Sequence, residues 1–232
     1  MKTITYAFSG GRNEKYNEDL IQAKEFFYGL PSFNKDDFEI NIIEFKRDKN
    51  SLFLRFFDKI MTRVLSLPFY TSLIVNLKNY RIFKKTDYLI LVNENIGCSV
   101  LPLLYALKFK KKTRSGMFVM GLYSKKIRYP FLKNIHFFIV KRVVSNIDNI
   151  FFLGKGEFNK ALEIHPSLKD KFIYFPFSVD TDFWVKDTNL DLNKNSKVIF
   201  VGNDGNRDWE LLLGIAKNMP DIQFIFVSKI PE

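Results

Sequence analysis

Thr3-Ile4-Thr5-Tyr6-Ala7-Phe8-Ser9-Gly10-Gly11-Arg12 decides the fold. A short β-prone run passes into a Gly-rich turn, and residues 17–30 then space Leu20, Ile21, Phe26, Phe27 and Leu30 as one face of a helix would. Residues 38–45 alternate through Phe38, Ile40, Ile42 or Ile43 and Phe45, and turn residues stand just before them at 34–37. Strand, Gly loop, helix and strand in that order predict a parallel α/β sheet, because a helical crossover is what returns the chain to run in the same direction.

The same alternation continues outward from this opening. Residues 52–67 place Phe53, Phe56, Phe57, Ile60, Met61, Val64 and Leu67 at steps of three and four, with Arg55, Lys59 and Arg63 on other faces, before Pro68. They read as an amphipathic basic helix. Residues 88–92 form an apolar strand, Asn93-Glu94-Asn95 a loop, and residues 98–107 a helix. A basic loop at 108–114 and a strand at 116–122 follow, then a basic aromatic stretch at 125–147 that either covers the sheet or meets a surface. Residues 149–153 read as a strand running into Gly154-Lys155-Gly156-Glu157, with a short helix ended by His165-Pro166 and a last strand at 172–177.

Residues 188–196 are rich in Asn, Asp and Lys and read as a linker. Beyond it come a strand at 197–201, a loop at 202–208, a helix at 209–218 and a strand at 222–227. A single β-α-β unit leaves much of its sheet uncovered, so this stretch reads as the beginning of a second α/β domain. The domain expectation is therefore 1–184, a linker at 185–196, and a partial domain at 197–232.

Composition fits a folded chain: 47% of the 232 residues are hydrophobic and 26% charged, which excludes a disordered or low-complexity protein. The net charge of +11 is concentrated, since residues 51–100 carry +4 and residues 101–150 carry +10 while the flanks are close to neutral. One positive face is expected, with an anionic membrane, a nucleic acid or a phosphate-bearing substrate as its partner. Cys98 is the only cysteine, so an internal disulfide is excluded, and a reducing, cytoplasmic setting is expected. His136 and His165 have no zinc-site spacing, and no metal is expected. The first residues reach charge too soon for a signal peptide, and no run of about 18 apolar residues predicts a spanning helix.

Phe172-Ile-Tyr-Phe-Pro-Phe-Ser-Val-Asp-Thr-Asp-Phe-Trp184 resembles the interdomain segment of GT-B glycosyltransferases of the family 4 type, where a strand ends in Pro, a Gly or Ser, Val-Asp and an aromatic. Phe8-Ser9-Gly10 with Phe26-Phe27-Tyr28-Gly29, Gly154-Lys155-Gly156-Glu157, and the stretch from Val201 through Gly202-Asn203-Asp204-Gly205-Asn206-Arg207-Asp208 to Trp209 agree with it in order and spacing. The resemblance implies two Rossmann-like domains, an acceptor-holding N-terminal one and a C-terminal one for the donor. The implied activity is transfer of a sugar from a nucleotide-diphosphate sugar to a glycan or lipid-linked acceptor, with no further cofactor.

On that resemblance Gly202, Asn203, Gly205, Asn206 and Arg207 are candidate donor-binding residues, the bland alternative being a turn with Asp208 capping a helix. Ser9, Gly10, Gly11 and Arg12 are candidate acceptor-binding residues or else a simple tight turn. Glu94 either pairs with a Lys or Arg or contacts a sugar hydroxyl, and Glu157 reads as a charge favouring a helix start, the alternative being a role at the cleft. Asp180 and Asp182 are expected to organise the crossover, with Phe183 and Trp184 anchoring it by burial. His136 and His165 read as surface or capping residues.

Two departures from the family stand out. Phe118-Val119-Met120-Gly121-Leu122 has no His where many members carry one, and the family's acidic pair for the donor sugar would fall beyond Glu232. No catalytic base is assigned. Lys110, Lys111, Lys112, Arg114, Lys125, Lys126 and Arg128 are expected to face an anionic membrane, peripherally at the cytoplasmic side. Nucleic acid is disfavoured by the lack of any recognition motif. The alternative to an enzyme is a truncated, non-catalytic GT-B remnant that binds an acceptor or a membrane surface.

Overall fold

The computed structural model describes residues 1–17, 23–46, 52–108, 113–185, 197–202 and 208–228. The chain divides into two compact units, Met1–Trp184 and Val185–Glu232. The first is an α/β unit whose six-stranded sheet has the order β2-β1-β3-β4-β5-β6. Its strands are β1 (Lys2–Phe8), β2 (Phe38–Glu44), β3 (Tyr88–Leu91), β4 (Arg114–Val119), β5 (Asn149–Phe152) and β6 (Phe172–Tyr174). Every neighbouring pair is parallel; Ile4, for example, faces Ile40 on one side and Tyr88 on the other.

Parallel sheets need cover on both faces, which is why β1 reads as an unbroken apolar run and is buried from Thr3 to Phe8. The covering helices are α1 (Arg12–Asn17), α2 (Leu52–Arg63), α3 (Leu77–Lys85), α4 (Glu94–Ser99), α5 (Leu101–Lys108), α6 (Lys133–Ser145) and α7 (Lys155–Ile164). Tyr6, Phe8, Phe69, Phe83 and Phe152 are the largest fully buried side chains, so much of the chain's Phe content is spent on one aromatic core.

The strand order reverses once. After β1 the chain steps to β2 on one side, then crosses to β3 on the other, so the loops leaving β1 and β3 diverge at their carboxyl ends. Open parallel sheets bind ligands at such a point.

Several local expectations are corrected. The helix expected at residues 17–30 is replaced, within the described part, by 3-10 turns at Lys24–Phe27 and Leu30–Ser32. Tyr28 and Gly29 adopt left-handed backbone with φ of 52° and 80°, and Pro31 follows. The turns still bury Phe27 and Leu30, so the apolar spacing is satisfied without a continuous helix. The loop expected at Asn93-Glu94-Asn95 is instead the start of α4: Asn93 caps it, its Oδ1 accepting the Ile96 amide at 3.1 Å. That helical stretch divides at Val100, because Pro102 has no amide N–H and fits only a first turn. The sequence reading left α3 unassigned, and its start is capped by Asn76, which accepts the Asn79 amide at 2.8 Å.

His136 is corrected from a surface or capping residue to a core one. It is buried, and its Nδ1 lies 2.7 Å from the Leu65 carbonyl oxygen, joining α6 to the end of α2. Burial holds its pKa below the usual imidazole range, with the Leu65 contact opposing. His165 closes α7 and is likewise buried.

The second unit is a two-stranded parallel pair, β7 (Lys197–Val201) and β8 (Gln223–Val227), with α8 (Trp209–Asn218) between them in sequence. Phe200 and Trp209 meet at 5.0 Å between ring centroids. Asp208 caps α8, its Oδ1 accepting the Leu211 amide at 3.0 Å.

Asp58 fixes α2 to the turn that follows it. Its carboxylate is buried and accepts the Thr71 and Ser72 amides, each at 2.8 Å. Removing a charged acceptor orphans both donors, so Asp58→Ala is expected to cost about 3 kcal/mol and lower Tm by roughly 6–12 °C, with Asp58→Asn losing less. Thermal unfolding followed by circular dichroism checks this; an unchanged Tm contradicts it.

Candidate functional site

The carboxyl ends of β1 and β3 open a cleft of about 310 Å³. After β1 the chain passes Ser9 into Gly10 and Gly11, whose φ values of 154° and 69° favour glycine. Glu44, at the end of β2, accepts the Arg12 amide at 2.5 Å and the Asn13 amide at 3.0 Å, which fixes the start of α1. The Arg12 guanidinium lies over the Phe26 ring at 5.4 Å. Ser9, Gly10 and Arg12 line this side of the cleft.

The opposite side comes from β3 and β4. Asn93, Glu94 and Asn95 line it at the head of α4, and Met120 closes it from the loop after β4. Glu94 is buried; one carboxylate oxygen accepts the Met120 amide at 3.1 Å and the other stands 3.9 Å from Lys125 Nζ. Glu94 reaches this position because α4 lies unusually close to β4. A Cβ built on Gly97 would fall 1.9 Å from the Met117 sulfur, so a larger residue here requires the buried Met117 side chain to move.

The loop after β4 is held a second time from α7. Glu157 accepts the Tyr123 amide at 2.8 Å. Burial raises the Glu157 pKa, the Tyr123 hydrogen bond lowers it, and the nearby Glu94 raises it. Neither of the roles expected for Glu157, a charge at a helix start or a group at the cleft, includes this anchoring of the loop, for which no local signal exists.

Tyr28 lines the polar cleft and also a second, more apolar one of about 180 Å³ with Phe118, Phe175 and Phe177. Its carbonyl accepts the Tyr6 hydroxyl at 3.1 Å, and its ring stands 5.1 Å from Phe118 and 6.4 Å from Phe8. Burial raises the pKa of its phenol.

The crossover segment docks on the first 3-10 turn. Asp180 accepts the Lys24 amide at 3.1 Å, Asp182 pairs with Lys24 Nζ at 3.2 Å, and the Trp184 indole donates to Glu25 at 2.6 Å. Phe183 and Trp184, expected to anchor by burial, are exposed and pack on each other at 4.9 Å. Hydrogen bonds to Glu25 and Lys24 hold the segment instead.

The structure thus gathers Ser9, Gly10, Arg12 and Glu94 at one cleft, with Gly11 in the same turn. Lys125 is half-buried and stands 3.9 Å from Glu94. Arg114 opens β4, and Lys126 and Arg128 are exposed, whereas Lys110, Lys111 and Lys112 lie outside the described residues. Of the candidate donor residues only Gly202 is described, its amide donating to the Val227 carbonyl at 3.3 Å; Asn203, Gly205, Asn206 and Arg207 lie outside the described residues. Among the described residues no group of three or more His, Cys, Asp or Glu stands together to hold a metal ion.

No family model matches the chain, and no curated protein matches it. Among solved structures, one that matches is the crystal structure of Arabidopsis thaliana UGT89C1 complexed with UDP, at 12% sequence identity and a TM-score of 0.41. The match covers 99% of this chain and 60% of that one, so the chain spans about three fifths of the length of UGT89C1.

The raised Glu157 pKa has a signed consequence. Stability gained from its protonated form is present below the ordinary carboxylate pKa and is lost as pH rises through the raised one. Glu157→Gln is neutral throughout, so its stability relative to the parent is expected to improve between pH 4 and pH 8, whereas Glu157→Ala, orphaning the Tyr123 amide, is less stable at both. Urea unfolding at the two pH values measures this, and a relative stability of Glu157→Gln that falls with pH contradicts it.

Proposed function

We propose that the chain is a glycosyltransferase of GT-B type, related to family 4, in which the Met1–Trp184 unit holds a hydroxyl-bearing glycan or lipid-linked acceptor. The observation that carries this reading is the convergence of the Ser9-Gly10 turn, Arg12 and the Asn93-Glu94 pair at the point where the strand order reverses. The motif order from Phe8-Ser9-Gly10 to the Phe172–Trp184 crossover supports the same reading.

In this proposal each group at the cleft has a task. The glycine turn lets a sugar ring approach the backbone, Arg12 donates to hydroxyl or phosphate oxygens, and Glu94 accepts a hydrogen bond from an acceptor hydroxyl. A carboxylate already fixed by Met120 and Lys125 loses little orientational freedom when it does so. The donor is a nucleotide-diphosphate sugar, and the proposed place for its diphosphate is the turn from Gly202 to the head of α8, with Arg207 supplying charge. Residues 203–207 of that stretch lie outside the described residues.

A second reading is acceptor binding without transfer, favoured by the fact that the whole polar cleft is built by the first unit. Calorimetric titration with UDP- and GDP-sugars, and separately with free mono- and disaccharides, separates the two. Transfer requires binding of a nucleotide sugar and release of nucleoside diphosphate once an acceptor is present. Saccharide binding alone supports the second reading, and binding of neither removes both. Arg12→Ala and Glu94→Gln are each expected to weaken saccharide binding by about tenfold, the loss of one hydrogen bond to a charged group.

A further inference from the structure

The apolar face of α2 is turned outward. Leu52, Phe53, Phe56 and Ile60 follow one another along the helix surface, with Val64 just past its end, and all are exposed, Phe53 at 72% and Phe56 at 63% of full exposure. Arg55, Lys59 and Arg63 form an exposed row beside them. The buried side of the helix is narrow: Met61 packs into the core, Phe57 meets Phe69 at 5.6 Å, and Asp58 binds the following turn. An isolated surface helix gains nothing in water from displaying two Phe and three aliphatic side chains, so this row is built for contact.

A similar arrangement runs through α6 and the 3-10 turn Pro130–Leu132 that leads into it. Phe131, Ile135 and Phe138 are exposed in succession, Phe131 at 80%, with Lys133, Lys141 and Arg142 exposed around them. Arg142 lies over the Phe138 ring at 5.0 Å. The turn just past α2 is tied to α6 by the His136 contact to the Leu65 carbonyl and to the segment before α6 by the Arg128 amide, which donates to Ser66 Oγ at 3.1 Å.

Charge identifies the partner. The sequence has no Asp or Glu from residue 95 to residue 147, and between 51 and 86 its only acid is Asp58, which is buried. Cationic side chains flanking apolar rows fit the boundary of an anionic bilayer, where the rings and aliphatic groups enter the acyl region and Lys and Arg remain among the headgroups. A nucleic acid would set polar base edges and phosphates against Leu52, Ile60, Val64 and Ile135, a poorer match.

We propose that α2 and α6, with the turn Pro130–Leu132 that leads into α6, form a docking surface for an anionic lipid bilayer, with Phe53, Phe56, Phe131 and Phe138 inserting and Arg55, Lys59, Arg63, Lys133 and Arg142 engaging headgroups. This surface differs from the one expected from sequence alone, which centred on the 110–128 stretch. It is independent of the glycosyltransferase reading, because vesicle binding requires neither donor nor acceptor.

Flotation of the full chain with phosphatidylcholine vesicles, with and without 30% phosphatidylglycerol, is the test. The chain is expected to float with the anionic vesicles and at least tenfold less with neutral ones. Exchanging Arg55, Lys59 and Arg63 together for Gln removes about fivefold per residue from anionic binding. The double variant Phe53→Ser, Phe56→Ser keeps every charge, yet is expected to weaken binding at least tenfold and to leave Tm unchanged, since both side chains are exposed. Absence of anionic vesicle binding overturns the proposal. So does binding that the Phe variants leave untouched, equal affinity for a duplex or single-stranded oligonucleotide, or a dimer that the Phe variants dissociate.

Discussion

A buried carboxylate at the end of β3 is the constraint on which the site depends. Removing a charge from water costs several kcal/mol unless hydrogen bonds and an opposite charge compensate, roughly on the scale that a whole domain has to spare. Glu94 is compensated by the Met120 amide and by Lys125, both from the loop after β4. The compensation works only if that loop stays in place, and Glu157 holds it from the other side through Tyr123. Gly97 is part of the same arrangement, because it leaves room for the Met117 side chain between α4 and β4. Cleft, loop and helix spacing are therefore one coupled set, and the polar wall facing Ser9, Gly10 and Arg12 follows from it.

The strands were legible because they are short apolar runs bounded by turn residues, and in a parallel sheet that pattern changes little with tertiary context. β1, β2, β3, β5, β7 and β8 all fall within a residue or two of the spans read from the sequence. The Ser9-Gly10 turn and Glu94 were also visible as candidates. What sequence could not show was their partners. Glu94 meets Met120 26 residues away, and Glu157 meets Tyr123 34 residues away; no periodic pattern encodes such pairs. The same holds for Lys125: in a basic stretch it looks like its neighbours, and only the fold brings it within 3.9 Å of Glu94. The burial of His136 was not legible because a lone polar ring in the core depends on a carbonyl, that of Leu65, contributed from the distant turn after α2.

Phenylalanine shows the same limit from another direction. Phe8, Phe69, Phe83 and Phe152 are core residues, while Phe53, Phe56, Phe131 and Phe138 are exposed, and all eight sit in apolar patterns. Helical spacing identifies a face without saying what covers it. In α2 the buried side is taken by Asp58, Met61 and Phe57, a choice made by the turn at Thr71 and Ser72. The pattern that reads as a core-facing helix thus becomes an outward one once its carboxylate is fixed.

Mapping sugar contacts residue by residue tests the central claim most directly. Amide NMR spectra of the chain, titrated with free mono- and disaccharides at millimolar concentration, report which backbone groups sense the ligand. The account predicts shifts concentrated at Ser9, Gly10, Asn93, Glu94 and Met120, weakened in Glu94→Gln. Saturable shifts confined to other parts of the chain, or spectra unchanged throughout the saccharide series, would contradict it.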